Sequence, residues 1–184
     1  MEKYQFKITV HMVCSLDGFV VKNDGDVSWL KSTDRYEEGV SLTQEDIDAY
    51  LSAIDCYVMG SKTYEHALEL GWPYGETPVI VMTKRNLKSE KKNVEFYTGG
   101  IKELMDTVLK STYPRIWVVG GPALVKDFLQ KRMVDELIVS FLPVIVGEGK
   151  LFFDYVGIEE RLHLKDCKAY TDGMVEMVYE VMKG

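Results

Sequence analysis

The sequence predicts an α/β protein: a mainly parallel central sheet that antiparallel C-terminal strands complete. Three observations predict it. Short, almost wholly apolar runs recur, each too brief for a helix and suited to a strand buried on both faces. Between them lie segments whose apolar residues return at helical spacing. After Arg132 the helical segments cease and only strand patterns follow. Alternating strand and helix, then strands alone, is the order of one α/β domain, and 184 residues suit a single domain spanning 1–184.

Phe6–Leu16 is rich in β-branched and aromatic residues and stops at Asp17-Gly18, a turn pair. Leu42–Ile54 is the first helix. Thr43 at its N-cap with Asp46 three residues on makes a capping box with Asp for Glu, and Ile47, Tyr50, Leu51 and Ile54 recur at helical spacing. Cys56–Gly60 is a strand, and Lys62–Leu70 a helix that ends at Gly71, a residue helix ends favour. Strands Pro78–Thr83 and Val94–Thr98 precede a third helix, Gly100–Ser111, with Ile101, Leu104, Met105 and Val108 on one face. Arg115–Gly121 is a strand. Pro122–Arg132 is a helix with proline in its first turn, where a missing N–H costs nothing. Asp135–Val146, Arg161–Thr171 and Met174–Met182 are strands, the last two joined by Asp172-Gly173, a strong hairpin signal.

Composition narrows the function classes. Apolar residues at 46% and charged residues at 28% are ordinary for a soluble globular chain. A net charge of −7, with no basic cluster beyond the stretch from Lys84 to Lys92, argues against a nucleic-acid partner. No apolar run approaches the roughly 18 residues that span a bilayer. The start reads as a first strand and not as a signal peptide. Cys14, Cys56 and Cys167 each lie in or beside an apolar run; an odd number at distant positions points to reduced, buried thiols. His11, His66 and His163 share no ligand spacing with one another or with the cysteines, so no metal is expected, and the chain reads as cytoplasmic.

Three segments follow predicted strands and invite a ligand: Gly60-Ser61-Lys62-Thr63, Thr83-Lys84-Arg85 and Gly120-Gly121-Pro122-Ala123-Leu124. In an open parallel sheet ligands gather at the carboxyl ends of the strands. Helix N-termini there offer unpaired N–H groups and a partial positive charge, which suits phosphate. Taken singly, each loop is equally a turn and nothing more. Their order along the chain favours a cradle for a multiply phosphorylated ligand.

These residues resemble the dihydrofolate-reductase-like fold family, closest to its branch containing the C-terminal reductase domain of riboflavin biosynthesis. Ser15–Val20 resembles that branch's S-x-D-G signature, and Val58–Glu65 the strand–G-[RK]-x-T segment of folate reductases, with Ser61 where a basic residue is common. Val79–Arg85 resembles the strand whose trailing residues hold the 2′-phosphate of NADPH, and Ile116–Gly149 resembles both branches throughout. The resemblance implies a three-layer fold with about four helices, and NADPH as cofactor. It implies that Gly60, Ser61, Lys62 and Thr63 bind cofactor phosphates. Thr83, Lys84 and Arg85 would select the 2′-phosphate, and Gly120, Gly121, Pro122, Ala123 and Leu124 would line the pyrophosphate and nicotinamide side. A homodimer paired through the sheets is also implied.

The substrate is expected to be a small pteridine- or pyrimidine-like heterocycle. Its reduction needs a proton, which family members take from a buried carboxylate; counting from Trp29 points to Asp34, and counting back from Gly60 points to the helix start that carries Asp48. Asp17 is either the turn that ends the first strand or part of the nicotinamide wall. Trp29 and Phe141 lead the aromatic candidates for the substrate pocket. Val119 stands where the riboflavin branch commonly has glutamate beside the glycine pair, and the zinc-binding deaminase motif of that branch is absent from the 184 residues. The alternatives are a folate reductase proper, or a nucleotide-binding module without catalysis.

Overall fold

The computed structural model describes residues 6–183. Met1–Gln5, which the sequence leads into the first strand, lie outside the described residues. The chain runs β1 (Lys7–Ser15), β2 (Phe19–Val21), a 3-10 turn (Ser28–Leu30), α1 (Gln44–Ser52), β3 (Cys56–Gly60), α2 (Ser61–Glu69), β4 (Val79–Met82) and β5 (Val94–Tyr97). The next helix, α3, opens as Ile101–Leu104, passes through a π-helical stretch at Met105–Leu109 and closes as Lys110–Thr112. There follow β6 (Arg115–Gly120), α4 (Pro122–Gln130), β7 (Glu136–Leu142), β8 (Lys150–Leu151), β9 (Leu162–Ala169) and β10 (Val175–Val181).

Eight strands form one sheet in the order β5-β4-β3-β6-β1-β7-β10-β9. Every pairing from β5 to β7 is parallel, and β10 is antiparallel to both of its neighbours. The mainly parallel sheet with antiparallel C-terminal strands is therefore the architecture observed. The Asp172-Gly173 hairpin forms as the sequence predicts, with Gly173 at φ +77 and its N–H donating to Tyr170 O at 2.9 Å. Thr43 and Asp46 close the capping box of α1, and Pro122 occupies the first turn of α4.

Successive residues of a strand face opposite sides, so β1 divides the protein into layers. Ile8, Val10 and Cys14, with Val118 of β6 and Val139 of β7, face α3 and α4, where Leu104, Leu109 and Phe128 are fully covered. Tyr57 and Met59 of β3, with Val79 and Val81 of β4, face the other way onto Tyr64 of α2. On that second side α1 reaches the sheet through Tyr50, whose ring meets His11 and Trp117 edge-on.

Two expectations are corrected, on the end of β7 and on Cys167, and two features are added, on α3 and in a second sheet. Val108 packs against the core as expected, and Leu109 joins it fully buried: the π-helical stretch brings residues five apart onto one face. The strand expected to reach Val146 stops at Leu142, because Pro143 has no N–H for a neighbour and Val144 N turns back onto Leu142 O at 2.8 Å. Cys14 and Cys56 are buried, but Cys167 is exposed, since β9 is an edge strand. A small second sheet pairs β2 with β8, three residues against two. Strands so short carry no period for a sequence to display. Among the described residues no helix is long and apolar enough to cross a membrane.

Candidate functional site

The site is built at the carboxyl ends of the parallel strands. β3 runs into α2 through Gly60, and β6 runs into α4 through Gly120 and Gly121, joined by a cis peptide bond. Gly60 and Gly121 are the N-caps of these helices; both are extended, and neither helix has a side-chain cap. The first N–H groups of two helices are thus left without local side-chain partners. The two loops touch: a Cβ built on Gly121 would stand 3.5 Å from Thr63 Oγ1, and one on Gly60 would stand 3.9 Å from Gly120 O. Gly120 sits at φ +124, where residues with a Cβ are strained. The structure therefore brings together Gly60, Ser61, Lys62 and Thr63 with Gly120, Gly121, Pro122, Ala123 and Leu124.

The loop after β4 is shaped by Thr83, whose hydroxyl accepts the Arg85 N–H at 3.0 Å. Lys84 is exposed. Arg85 is held by the α2 residue Glu65, with its two terminal nitrogens donating to the two carboxylate oxygens at 3.0 and 2.7 Å. Nothing in the sequence pairs these two residues, which are twenty positions apart.

Asp17 is a tie between loops. Ser15 Oγ donates to its carboxylate at 2.6 Å, and the backbone N–H groups of Val146 and Gly147 donate at 3.1 and 2.8 Å. The Ser15 hydrogen bond is the main cause that holds this carboxyl below its usual range. The turn after β1 is thereby fastened to the loop after β7. Trp29 lies on the 3-10 turn and lines a cleft of about 530 Å³ with Asp34, Leu142, Pro143 and Val144. Its Nε1 is buried with no hydrogen-bond partner. Phe141 does not join it: its ring shares the sheet face of Val139 and packs against the main core. That placement follows from the strand's two-residue alternation.

Neither candidate proton donor is buried. Asp34 is exposed in the loop after the 3-10 turn. Asp48 is exposed on α1 and accepts from Gln44 Nε2 at 2.8 Å. A largely enclosed set of titratable and hydroxyl groups lies where Tyr50 of α1 meets the sheet. His11 Nδ1 is 3.1 Å from Tyr50 Oη, and His11 Nε2 is 3.3 Å from Ser140 Oγ. Ser140 Oγ and Tyr170 Oη donate to the two oxygens of Glu176 at 3.1 and 3.2 Å. His11 also stacks on Trp117, at 5.2 Å between ring centroids. Burial lowers the His11 pKa against the opposing pull of Glu176 and Glu136, while burial and those same carboxylates raise that of Tyr50.

The sequence reading missed this group because its members are scattered over β1, α1, β7 and β10. One signal was available: His11 interrupts the apolar pattern of a central strand. Two residues on, Val13 is 37% exposed although β1 has a strand on either side. Val13 thus meets solvent on the sheet face that it shares with His11. Among the described residues no group of three His, Cys, Asp or Glu side chains is placed to hold a metal ion.

The parallel strands thus end in two touching glycine loops, where a ligand can approach bare backbone. The chain belongs to the RibD C-terminal domain family, which matches residues 6–176, and this is a family of oxidoreductases tied to the riboflavin pathway. It is 29% identical to YwjB of Bacillus subtilis (strain 168) over 166 residues, covering 89% of this chain and 92% of that protein. It is 25% identical to the dihydrofolate reductase of Gallus gallus over 167 residues, covering 82% and 86% of the two chains. A structure from Shewanella sp. PV-4, provisionally assigned to riboflavin biosynthesis, superposes with a TM-score of 0.83 at 19% identity, covering 97% of this chain and all of that one.

Proposed function

We propose that this chain is an NADPH-dependent reductase of a small pteridine- or pyrimidine-like heterocycle, acting in the cytoplasm. 5-Amino-6-(5-phosphoribosylamino)uracil and dihydrofolate are the first two substrates to test. The observation that carries the reading is the contact between the Gly60 and Gly120-Gly121 loops, which sets two uncapped helix N-termini side by side. Such a pair fits a pyrophosphate, because it offers N–H groups and positive partial charge with no side chain in the way. Gly60, Ser61, Lys62 and Thr63 would hold one part of the dinucleotide, and Gly120, Gly121, Pro122, Ala123 and Leu124 the other. Thr83, Lys84 and Arg85 would face the adenosine 2′-phosphate.

When bound, NADPH supplies the hydride. The chain's own residues have three tasks: to orient the dinucleotide, to seat the heterocycle over the sheet face at Val13, and to hold a proton near it. For the first, backbone N–H groups act as preorganised donors that need no rearrangement on binding. For the second, Trp29 offers an aromatic edge and an unpaired N–H next to the carboxyl end of β7. For the third, the His11–Ser140–Glu176 group is the buried titratable set nearest in register to Val13, since Val13 pairs with Ser140 across β1 and β7. One observation favours a second reading, a nucleotide-binding module without catalysis: both Asp34 and Asp48 are exposed.

The two readings separate in solution. Titration with NADPH and NADH, followed by quenching of tryptophan fluorescence, is expected to give a dissociation constant well under a millimolar for NADPH, a limit near −4 kcal/mol. Failure of both dinucleotides to bind by that limit rejects the cofactor. If NADPH binds, its oxidation in the presence of each heterocycle supports the reductase, and binding without turnover on any heterocycle supports the module.

The proposal includes a homodimer. β9 is an edge strand that Val40 bridges at its C-terminal end, and along it Leu162 is 41% and Leu164 49% exposed. An exposed strand edge is a template for a second copy of the same strand. Light scattering after size exclusion is expected to show about twice the chain mass of 21.1 kDa. A particle of single-chain mass at micromolar concentration removes the dimer.

A further inference from the structure

Glu65, which has no part in the proposed reaction, pairs with Arg85 at the loop that would face the 2′-phosphate. Arg85 stands three residues past the end of β4, at the turn where Thr83 Oγ1 accepts its N–H. Glu65 stands on α2, in the second turn after Gly60. The carboxylate meets the guanidinium fork to fork, at 3.0 and 2.7 Å. A phosphate monoester would use the same two N–H donors in the same plane. Carboxylate and phosphate therefore compete for one site, and they also repel each other.

We propose that Glu65 is a specificity-determining residue: it is an internal anion that a 2′-phosphate must displace from Arg85, so it narrows the preference for NADPH over NADH. The inference rests on the cofactor reading above. With Glu65 in place, a dinucleotide lacking the 2′-phosphate meets an already neutralised arginine and suffers no penalty there. A dinucleotide carrying it gains Arg85 only by breaking the existing pair. The pair can be displaced because its side chains are 53% and 42% exposed, a setting in which ion pairs contribute little. Lys62 lies near enough to act on the Glu65 carboxyl, and so offers the displaced carboxylate a second cation.

The test compares dissociation constants for NADPH and NADH in the wild type, Glu65→Gln, Arg85→Ala and the double variant. Glu65→Gln is expected to tighten NADPH by roughly twofold to fivefold and to leave NADH unchanged, the scale of an exposed charge pair. In the Arg85→Ala background the same change is expected to bring no gain. Adenosine 2′,5′-bisphosphate against adenosine 5′-monophosphate gives the comparison again without the nicotinamide. If dinucleotides bind but Glu65→Gln leaves NADPH unchanged or weaker, Glu65 merely orients Arg85 and this inference alone is overturned. If neither the dinucleotides nor the adenosine phosphates bind, the cofactor reading falls and the inference falls with it.

Discussion

Gly120→Val is expected to abolish dinucleotide binding, with a loss of at least about a hundredfold in affinity for NADPH. Space is not the obstacle. A Cβ on Gly120 would meet Met12 Sδ at 3.6 Å, an ordinary contact. The obstacle is the backbone, which at φ +124 lies where a β-branched residue is a steric outlier. Holding valine there costs roughly 1–3 kcal/mol, so the peptide rotates instead. Rotation carries the Gly120 carbonyl away from Gly60 and the Gly121 backbone away from Thr63, and the two helix N-termini no longer share one ligand. A hundredfold loss corresponds to about 2.8 kcal/mol, which two or three misdirected hydrogen bonds to a charged group account for. Fluorescence titration reads the affinity, and circular dichroism with a thermal melt shows that the fold persists. Gly121→Ala is the companion variant: Gly121 has φ −75, so alanine fits without strain. Its loss of affinity then measures how closely the ligand approaches the bare backbone. NADPH affinity within a few fold of wild type in Gly120→Val would remove the glycine pair from the site.

Glu176→Ala is expected to destabilise the protein by about 2–5 kcal/mol, since truncation leaves buried hydroxyl groups without their acceptor at roughly 1–3 kcal/mol each. Those groups are Ser140, 1% exposed, and Tyr170, 6% exposed. For a domain of this size the melting temperature falls by roughly 5–15 °C. Glu176→Gln keeps an oxygen and a polar nitrogen in place and is expected to recover more than half of the loss. A melt of Glu176→Ala within a degree or two of wild type would show that water replaces the carboxylate and that the group is not a structural unit.

The same group sets a pH dependence. Burial is the main cause that lowers the His11 pKa below its ordinary 6.5, and the charges of Glu176 and Glu136 oppose it. The unfolded chain therefore takes up a proton before the folded one does. Stability is full above about pH 6.5 and is lost as the pH falls from there through the folded pKa. In Glu176→Ala one opposing charge is gone, so the folded pKa drops further and the loss on acidification is larger. Denaturant unfolding from pH 8 to pH 5 measures both slopes. A His11→Gln variant that keeps the wild-type slope would assign it to another group.

Much of the fold was legible because its signals are local. Cys56–Gly60 is the strand predicted, residue for residue, and β4, β5 and β6 differ from prediction by a residue at one or both ends. Continuous apolar runs of that length have few other uses. Thr43, Gly71 and Pro122 act where capping chemistry places them. Less of the site was legible. The glycine loops come together as expected, because a parallel sheet delivers every carboxyl end to the same edge. Asp34 and Asp48 were sought by counting from a resemblance, and a count along the chain says nothing of burial; the structure leaves both in solvent.

By itself, then, the sequence determined the element types, their order, the parallel sheet and the glycine-lined edge, because each follows from periodicity and capping within a few residues. The tertiary structure decided the rest: that Arg85 is claimed by Glu65, that Asp17 ties two loops, that Phe141 turns into the core, and that His11 meets Ser140 and Glu176. Those contacts join residues 20 to 165 positions apart. The energy of such a contact depends on burial and on the angle between two groups, and neither is written in the spacing of residues along a chain.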